Sequence, residues 1–541
     1  MECELPGLHV FSARGIVSRI LLTYLDVPDS LRLCSDATGA PHAQATSFAI
    51  REAETVLWSA SWAGQALAYL TSLVQADALT WVVRYRCDRV LKEIVSFNTT
   101  EICGHGVDGP HILTPPEHSS GVIAYVAESY PGVMTFLERE IAALVRQGWD
   151  VTVYSLGRPA EIRYAAEAAS YPVRVEYCLN RHLFTARIVR VHLGLLWSLP
   201  RAYFSALRFA LRFVGDSWYS FSRVTYAFLK AGYFSEMARA RGVQHLHAHF
   251  AGRTTEVAMF MAQFLDISFS FTGHSNDVTG DYPLLREKIE RAEFVAAENQ
   301  RAAQAISARL QTVFSKNVHV IRPGVDPDYF DPGVCSRTAL PMLVSVTRLV
   351  ESKGLSDLVE ACGILHSRRL RFRCAIVGDG PVRNQLRALI DHKQLAECVT
   401  LEGELDSREI IKMLCRAWVF VLPCVRVFNG QGDHPTRFVS TVEDGIPSSL
   451  VEAMSMGLPV VTTDVGAILE LVEDGVTGLV VREHDPDALA VALARLLDDS
   501  LLRKRMGKAS RGRVISEFDS MACARRLGEF IHMAISQRQT V

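Results

Sequence analysis

The sequence predicts an α/β protein with two Rossmann-like, doubly wound domains in tandem facing a cleft, preceded by an N-terminal extension of unassigned fold. Three observations predict it. At 541 residues the chain exceeds the roughly 250–300 residues at which a single core stops growing, so several domains are required. From Gly121 onward, short β-branched runs alternate with longer helical patterns, the signature of parallel sheets with crossover helices. The Pro- and Asp-containing stretch Gly324 to Pro332 divides that alternation into two sets.

Residues 1–119 do not follow this rhythm and carry no motif. Within them, Thr55 to Ala76 is uncharged and long enough to span a bilayer, but six polar residues (Ser59, Ser61, Gln65, Thr71, Ser72 and Gln75) make it a buried or surface helix. A first domain is expected over 120–325. Its strands are Gly121 to Ala127, Asp150 to Leu156, His245 to Phe250, Phe269 to His274, Phe294 to Glu298 and Val318 to Gly324, with a helix at Thr135 to Gln147. A second is expected over 326–515. Its strands are Met342 to Val346, Cys374 to Gly378, Val399 to Gly403, Val419 to Pro423, Val460 to Thr463 and Gly478 to Val481. The helix Leu355 to Leu365 repeats apolar residues at i, i+3, i+4, i+7 and i+10. Residues 516–541 form a last helix, expected to pack back on the first domain. In such tandems the ligand site lies at the carboxyl ends of the strands.

Composition narrows the function. Lys and Arg number 57 against 59 Asp and Glu, so no global charge draws the chain to nucleic acid. The 12 cysteines form no C-x-x-C pair, and those around Cys374 and Cys415 sit in apolar runs. They read as reduced core residues of a cytoplasmic protein. The start, Met1 to Arg14, lacks the charged, apolar and small-residue order of a secretory signal.

Three stretches of the second domain carry chemistry. After the strand Met342 to Val346 comes T-R-L-V-E-S-K-G, which sets Arg348 and Lys353 just before a helix. Two fixed cations beside a helix N-terminus suit a diphosphate. Val377 to Pro381, V-G-D-G-P, is a strand-end turn whose Gly378 and Gly380 permit close backbone approach to a ligand. Glu443 to Thr463 begins E-D-G-I-P-S-S-L-V-E and holds Asp444 and Glu452 eight positions apart. There Gly445 and Pro447 make a turn, Ser448 and Ser449 open a helix whose free N–H groups suit a phosphate, and Glu452 lies one turn in.

This last stretch resembles the E-x7-E motif of retaining GT-B glycosyltransferases of family GT4, the glycosyl transferases group 1. The likeness runs from Gly121 to Glu517. It implies the GT-B fold, with Arg348 and Lys353 as the diphosphate pair and Glu452 and Asp444 as the paired carboxylates. Asp444 stands where the family has Glu, and the neighbouring Glu443 is a second candidate for that role. F-T-G-H-S-N-D, Phe271 to Asp277, resembles the strand-end histidine facing the transferred sugar, which would make His274 a sugar or acceptor contact; unaided, such a histidine reads as structural. E-S-Y-P-G, Glu128 to Gly132, occupies the place of the acceptor loop, with Gly132 where relatives carry a glycine pair.

The resemblance further implies a UDP- or GDP-sugar donor, a glycan or lipid-linked acceptor, retention of anomeric configuration, and neither cofactor nor metal. Consistent with the last point, no Asp-x-Asp cluster is placed to hold a divalent ion. His245, His247 and His249 alternate along one strand with no carboxylate or cysteine at ligand spacing, so they are not read as a metal site. A nucleotide-sugar epimerase shares the fold but would lack the cation pair and the E-x7-E helix in this order. A non-catalytic, membrane-associated relative is the other alternative.

Between Tyr177 and Gly215 there is no Asp or Glu, while six arginines and two histidines are interleaved with Leu, Phe, Trp and Tyr. Arg201, Arg208 and Arg212 share one helical face. Two readings fit: an anionic membrane surface on the inner face of the cell membrane, or a helix packed on its own domain with solvated arginines.

Overall fold

The computed structural model describes residues 120–541, apart from 133, 160–172, 179, 213–217, 280–283, 310–316, 334, 429–440, 443–444 and 540–541. Residues 1–119, with the run Thr55 to Ala76, lie outside the described residues, as do Glu443 and Asp444.

The N-terminal sheet is entirely parallel, in the order β3-β2-β1-β4-β5-β6-β7. Its strands are β1 (Gly121–Ser129), β2 (Trp149–Gly157), β3 (Arg174–Tyr177), β4 (His245–His249), β5 (Ser268–Gly273), β6 (Phe294–Ala297) and β7 (Val318–Val320). Helices α1 (Thr135–Arg146), α2 (Ala186–Ser198), α3 (Pro200–Arg212), α4 (Trp218–Ala240), α5 (Arg253–Leu265), α6 (Ser275–Thr279), α7 (Leu285–Arg291) and α8 (Gln300–Arg309) join them. The short half-buried edge strand β3 is absent from the sequence expectation. The basic segment is also two helices, broken where Pro200 opens α3 and lacks the N–H that would continue α2.

The second sheet, also parallel, runs β10-β9-β8-β11-β14-β15. It comprises β8 (Met342–Val346), β9 (Arg373–Val377), β10 (Val399–Gly403), β11 (Val419–Leu422), β14 (Val460–Thr463) and β15 (Gly478–Val481). A small antiparallel pair, β12 (Val427–Phe428) with β13 (Thr441–Val442), stands apart. Alternate residues feed two cores: Leu343, Val421 and Val461 face one, and Val344, Phe420 and Val460 the other. Helices α9 (Leu355–Ser367), α10 (Arg383–His392) and α13 (Pro486–Asp498) supply the first core, α11 (Ser407–Arg416) and α12 (Ser448–Ser455) the second, and α14 (Ser500–Glu517) gives Leu502 and Met506 to the first and Val514 to the second. Burial on both faces explains why β8, β9 and β11 read as near-continuous apolar runs, whereas the edge strand β10 alternates.

The last helix, α15 (Ser520–Gln539), lays Leu527, Ile531 and Ala534 against Leu137, Ile141 and Leu144 of α1, in the core of the N-terminal sheet. Glu470, from the second sheet's side, accepts hydrogen bonds from Gln300 N (2.7 Å) and Arg301 N (3.0 Å), capping the start of α8. One expectation is corrected: Cys335 and Cys415 form a disulfide, with Cα atoms 4.7 Å apart across 80 residues of sequence. Both strand orders reverse beside the first strand, at β1/β4 and at β8/β11, which marks where each half should bind its ligand.

Candidate active site

A cavity of about 290 Å³ lies where the carboxyl ends of the two sheets meet, lined from one side by Thr135, Phe136 and Arg139 and from the other by Arg348, Gly378, Ser448, Ser449 and Glu452. A larger cavity of about 720 Å³ borders α3 and the start of β5 and shares none of these residues.

On the C-terminal side the loops after β8 and β9 are zipped together. Thr347 N donates to Val377 O at 3.0 Å and Leu349 N to Asp379 O at 2.9 Å. Gly378, at φ +131°, has no room for a Cβ, which would stand 1.9 Å from the Thr347 carbonyl oxygen; at Gly380 the corresponding atom is the Leu349 carbonyl oxygen, 2.4 Å away. The glycines thus serve the approach of one loop to its neighbour, and this approach holds Arg348 exposed at the cavity wall. Lys353 does not line the cavity: it is 8% exposed, in the 3-10 turn Glu351–Lys353. Gly354, which sequence reasoning passed over, ends that turn at φ +61°, where a Cβ would collide with the Pro423 carbonyl oxygen at 1.8 Å.

Helix α12 opens after Pro447, which makes no side-chain cap, and no acidic residue occupies its first turn. The first-turn N–H groups of Ser448 and Ser449 therefore add partial positive charge where both residues line the cavity. Gly445 comes close to the other domain: a Cβ there would lie 2.2 Å from Glu298 Oε1 and 3.2 Å from Ser275 Oγ. Glu452, 8% exposed, receives Arg139 Nη2 on Oε1 at 2.7 Å.

His274 follows β5 and does not line the cavity, although the Phe136 ring that does lies 5.3 Å from it, centroid to centroid. Its Nδ1 is 2.8 Å from Glu298 Oε2 and its Nε2 is 3.2 Å from His249 Nδ1. His249 Nε2 in turn is 2.9 Å from Glu140 Oε1, which also accepts Tyr125 OH at 2.7 Å. Burial opposes charge on His274, but Glu298, Asp277 and Glu140 outweigh it and raise its pKa. Burial likewise opposes ionisation of Glu140, yet His249, His247 and the Tyr125 hydroxyl bring it down to about 2. Gly132 N donates to Glu138 Oε1 at 2.9 Å, which ties the acceptor-loop candidate to the first turn of α1.

The absence of a nearby carboxylate, used above against a metal, does not hold in three dimensions. Glu140, His247 and His249 have ligand atoms within 4.8 Å of one another. Their nitrogens are nonetheless engaged: His247 with Ser270 Oγ (2.7 Å) and Thr272 Oγ1 (3.0 Å), His249 with Glu140 and His274. The cluster is a satisfied hydrogen-bond network. Sequence reasoning missed Arg139, Glu140 and Glu298 and considered His249 only as a metal ligand; the signal for Arg139 and Glu140 was F-L-E-R-E, three charged residues within an amphipathic helix.

Residues 336–513 match the family described as Glycosyl transferases group 1. The amylovoran biosynthesis glycosyltransferase AmsK of Erwinia amylovora is 34% identical over 218 residues, covering 40% of this chain and 51% of that protein. The GDP-mannose-dependent alpha-(1-6)-phosphatidylinositol monomannoside mannosyltransferase of Mycobacterium tuberculosis is 31% identical over 224 residues, 40% of this chain and 56% of that one. The chain thus spans about half the length of the curated relatives it matches. A glycosyltransferase structure from Rickettsia africae superimposes with a TM-score of 0.56 at 16% identity, over 77% of this chain and 98% of that one. The two sheets are those of the GT-B fold, and over residues 336–513, the C-terminal wall of the cleft, the chain is similar to the glycosyl transferases group 1.

Proposed function

We propose that the protein is a retaining, metal-independent glycosyltransferase of the GT4 type, moving a sugar from a UDP- or GDP-sugar to a hydroxyl of a glycan or lipid-linked glycan in polysaccharide biosynthesis. One observation carries the reading: Arg348, the glycine turn at Gly378, the uncapped start of α12 and Glu452 converge on one cavity between the sheets. A diphosphate placed there meets a guanidinium and helix N–H groups, with Lys353 behind in the same loop. These groups oppose the negative charge that grows as the nucleotide departs, supplying what a divalent ion would otherwise supply. Glu452 and Asp444 orient the ribose and sugar hydroxyls, and His274 with Gly132 belongs to the acceptor side. Substitution occurs on one face of the sugar, the departing diphosphate taking the acceptor's proton. The names of the amylovoran and mannosyltransferase relatives support polysaccharide or lipid-linked acceptors and a nucleotide-sugar donor.

The same reading places the chain at the inner face of the cell membrane. Among the described residues, no helix is long and apolar enough to cross a membrane. A surface attachment is favoured by α2 and α3, which expose Val189, Leu193 and Trp197 (91%) on one and Phe204 and Leu211 on the other, beside exposed Arg190, Arg201, Arg208 and Arg212. The test of the activity is a screen of UDP- and GDP-sugars scored by released nucleotide. Consumption of one donor, abolished by Lys353→Ala and by Glu452→Ala, supports transfer; no consumption of any donor overturns it.

A further inference from the structure

We propose that Glu140, His249, His274 and Glu298 act as one proton-sharing unit, in which Glu140 and His249 are positioning residues that fix the ring and the charge of His274 behind the cavity-lining Phe136. The inference rests on the sugar-transfer reading of the site, and it follows from counting donors and acceptors along the chain of contacts. Glu298 Oε2 accepts from His274 Nδ1, and Glu140 Oε1 accepts from His249 Nε2, so both outer nitrogens carry protons. The two inner nitrogens, His249 Nδ1 and His274 Nε2, face each other at 3.2 Å, and one proton must lie between them. Three protons on two imidazoles make one positive charge, whichever ring formally holds it.

The surroundings keep that count. Tyr125 OH donates to Glu140 Oε1 at 2.7 Å, which reinforces the carboxylate. Glu298 Oε1 accepts from Ser275 N and Oγ, both at 2.8 Å, and from Asn299 Nδ2 at 3.2 Å. Asp277 Oδ1 accepts from the backbone N of His274 at 2.8 Å, and its charge, from α6, acts with that of Glu298 on the ring. His247 is occupied by Ser270 and Thr272, and Cys523 of α15, whose thiol pKa is raised by burial and then by Asp519 and Glu140, is a further titratable neighbour. Phe136 and Phe250 pack on His274, the latter with ring centroids 4.2 Å apart.

Two consequences follow for the reaction. No ring nitrogen of His274 is left for a sugar hydroxyl, so His274 serves through charge. A proton moving from His249 Nδ1 to His274 Nε2 puts the full charge on the ring held by Glu298, the carboxylate that abuts the Gly445 loop, as the departing diphosphate becomes more negative. Nothing is gained or lost by the pair. Because Gly445 abuts Glu298, the unit also touches the loop that leads into α12.

The experiment uses the full chain with 15N-labelled histidine. Expected in the unaltered protein are three protonated ring nitrogens in the His249–His274 pair, with the inner proton coupled to both rings; two or four protonated nitrogens overturn the proposal. In kinetics, His249→Gln should lower kcat by about tenfold or more with KM for the donor within about twofold, and move the alkaline limb of kcat down by roughly one pH unit. Glu140→Gln, nearly isosteric, should move the same limb in the same direction and serves if His249→Gln fails to fold. A loss of kcat with an unmoved limb means a purely structural role and overturns it. If the unaltered protein consumes no nucleotide sugar, the transfer reading fails while the proton count still stands or falls by the spectrum.

Discussion

Arg139 of α1 and Glu452 of α12 meet across the cleft, Nη2 to Oε1 at 2.7 Å, with side chains only 8% and 10% exposed. The guanidinium also lies over the Phe330 ring, 5.1 Å from its centroid. The pair joins the two sheets at the carboxylate on which the function reading depends, so its removal has two readouts. Taking away one partner of a buried pair leaves the other uncompensated and costs about 3–5 kcal/mol. Arg139→Ala and Glu452→Ala should each lower the melting temperature clearly, and the double variant should melt no lower than the worse single. Additive losses in thermal melts would show that the two side chains do not act as a pair.

Gly445→Ala should reduce turnover by an order of magnitude or more. Its methyl group would sit 2.2 Å from Glu298 Oε1, and that carboxylate cannot retreat, being held by Ser275, Asn299 and His274. The loop must move instead, taking the start of α12 with it. A Michaelis analysis that found both kcat and KM unchanged would refute the close contact.

Much of the second domain was legible because its information is local. Strands buried on both faces announce themselves as apolar runs, and Arg348, Gly378, Ser448 and Glu452 each follow a strand or open a helix, so their convergence follows from topology. Arg139, Glu140 and Glu298 were not legible. Arg139 and Glu452 are 313 residues apart, and His249 and Glu140 are 109 apart, so each pairing exists only once the sheets assemble. A separation of 80 residues likewise hid the Cys335–Cys415 disulfide. The edge strand β3 escaped because R-V-E-Y is short and only partly buried, which leaves a weak apolar pattern.

Membrane attachment makes a quantitative prediction. Each arginine near an anionic surface contributes about 1 kcal/mol, so neutralising Arg201, Arg208 and Arg212 together should weaken binding to anionic vesicles roughly a hundredfold. Trp197→Ala should weaken it further without altering its salt dependence, because it removes apolar contact and no charge. Flotation with phosphatidylserine-containing and neutral vesicles measures both. Equal flotation of the unaltered and triply neutralised chains would leave α2 and α3 as ordinary domain surface.

Acid should destabilise the protein below about pH 6.5, and the sign follows from the buried histidines. Burial lowers the His247 pKa from its ordinary 6.5 to about 3, and lowers that of His245 as well. Below 6.5 the unfolded chain takes up these protons while the native state refuses them, so the unfolded state binds more protons and stability falls with pH. Each such group approaches about 1.4 kcal/mol per pH unit. Asp277 acts in the opposite direction: burial raises its pKa from 3.8 to about 6, so the native state holds a proton that the unfolded chain has released between those values. His192 and His319, lowered by burial, act with His245 and His247, and Asp357, raised by burial, acts with Asp277, so four histidines against two carboxyls leave a net loss as pH falls from 6 to 4. Glu140, depressed to about 2, adds its own loss at still lower pH. Above 6.5, His274, whose pKa is raised, works in the other sense, its contribution disappearing as pH climbs through its native value. Urea unfolding at pH 7, 6 and 5 should therefore show decreasing stability, with a shallower slope in His247→Asn. A stability that stayed level or rose on acidification would mean that His245 and His247 take up protons within the folded sheet.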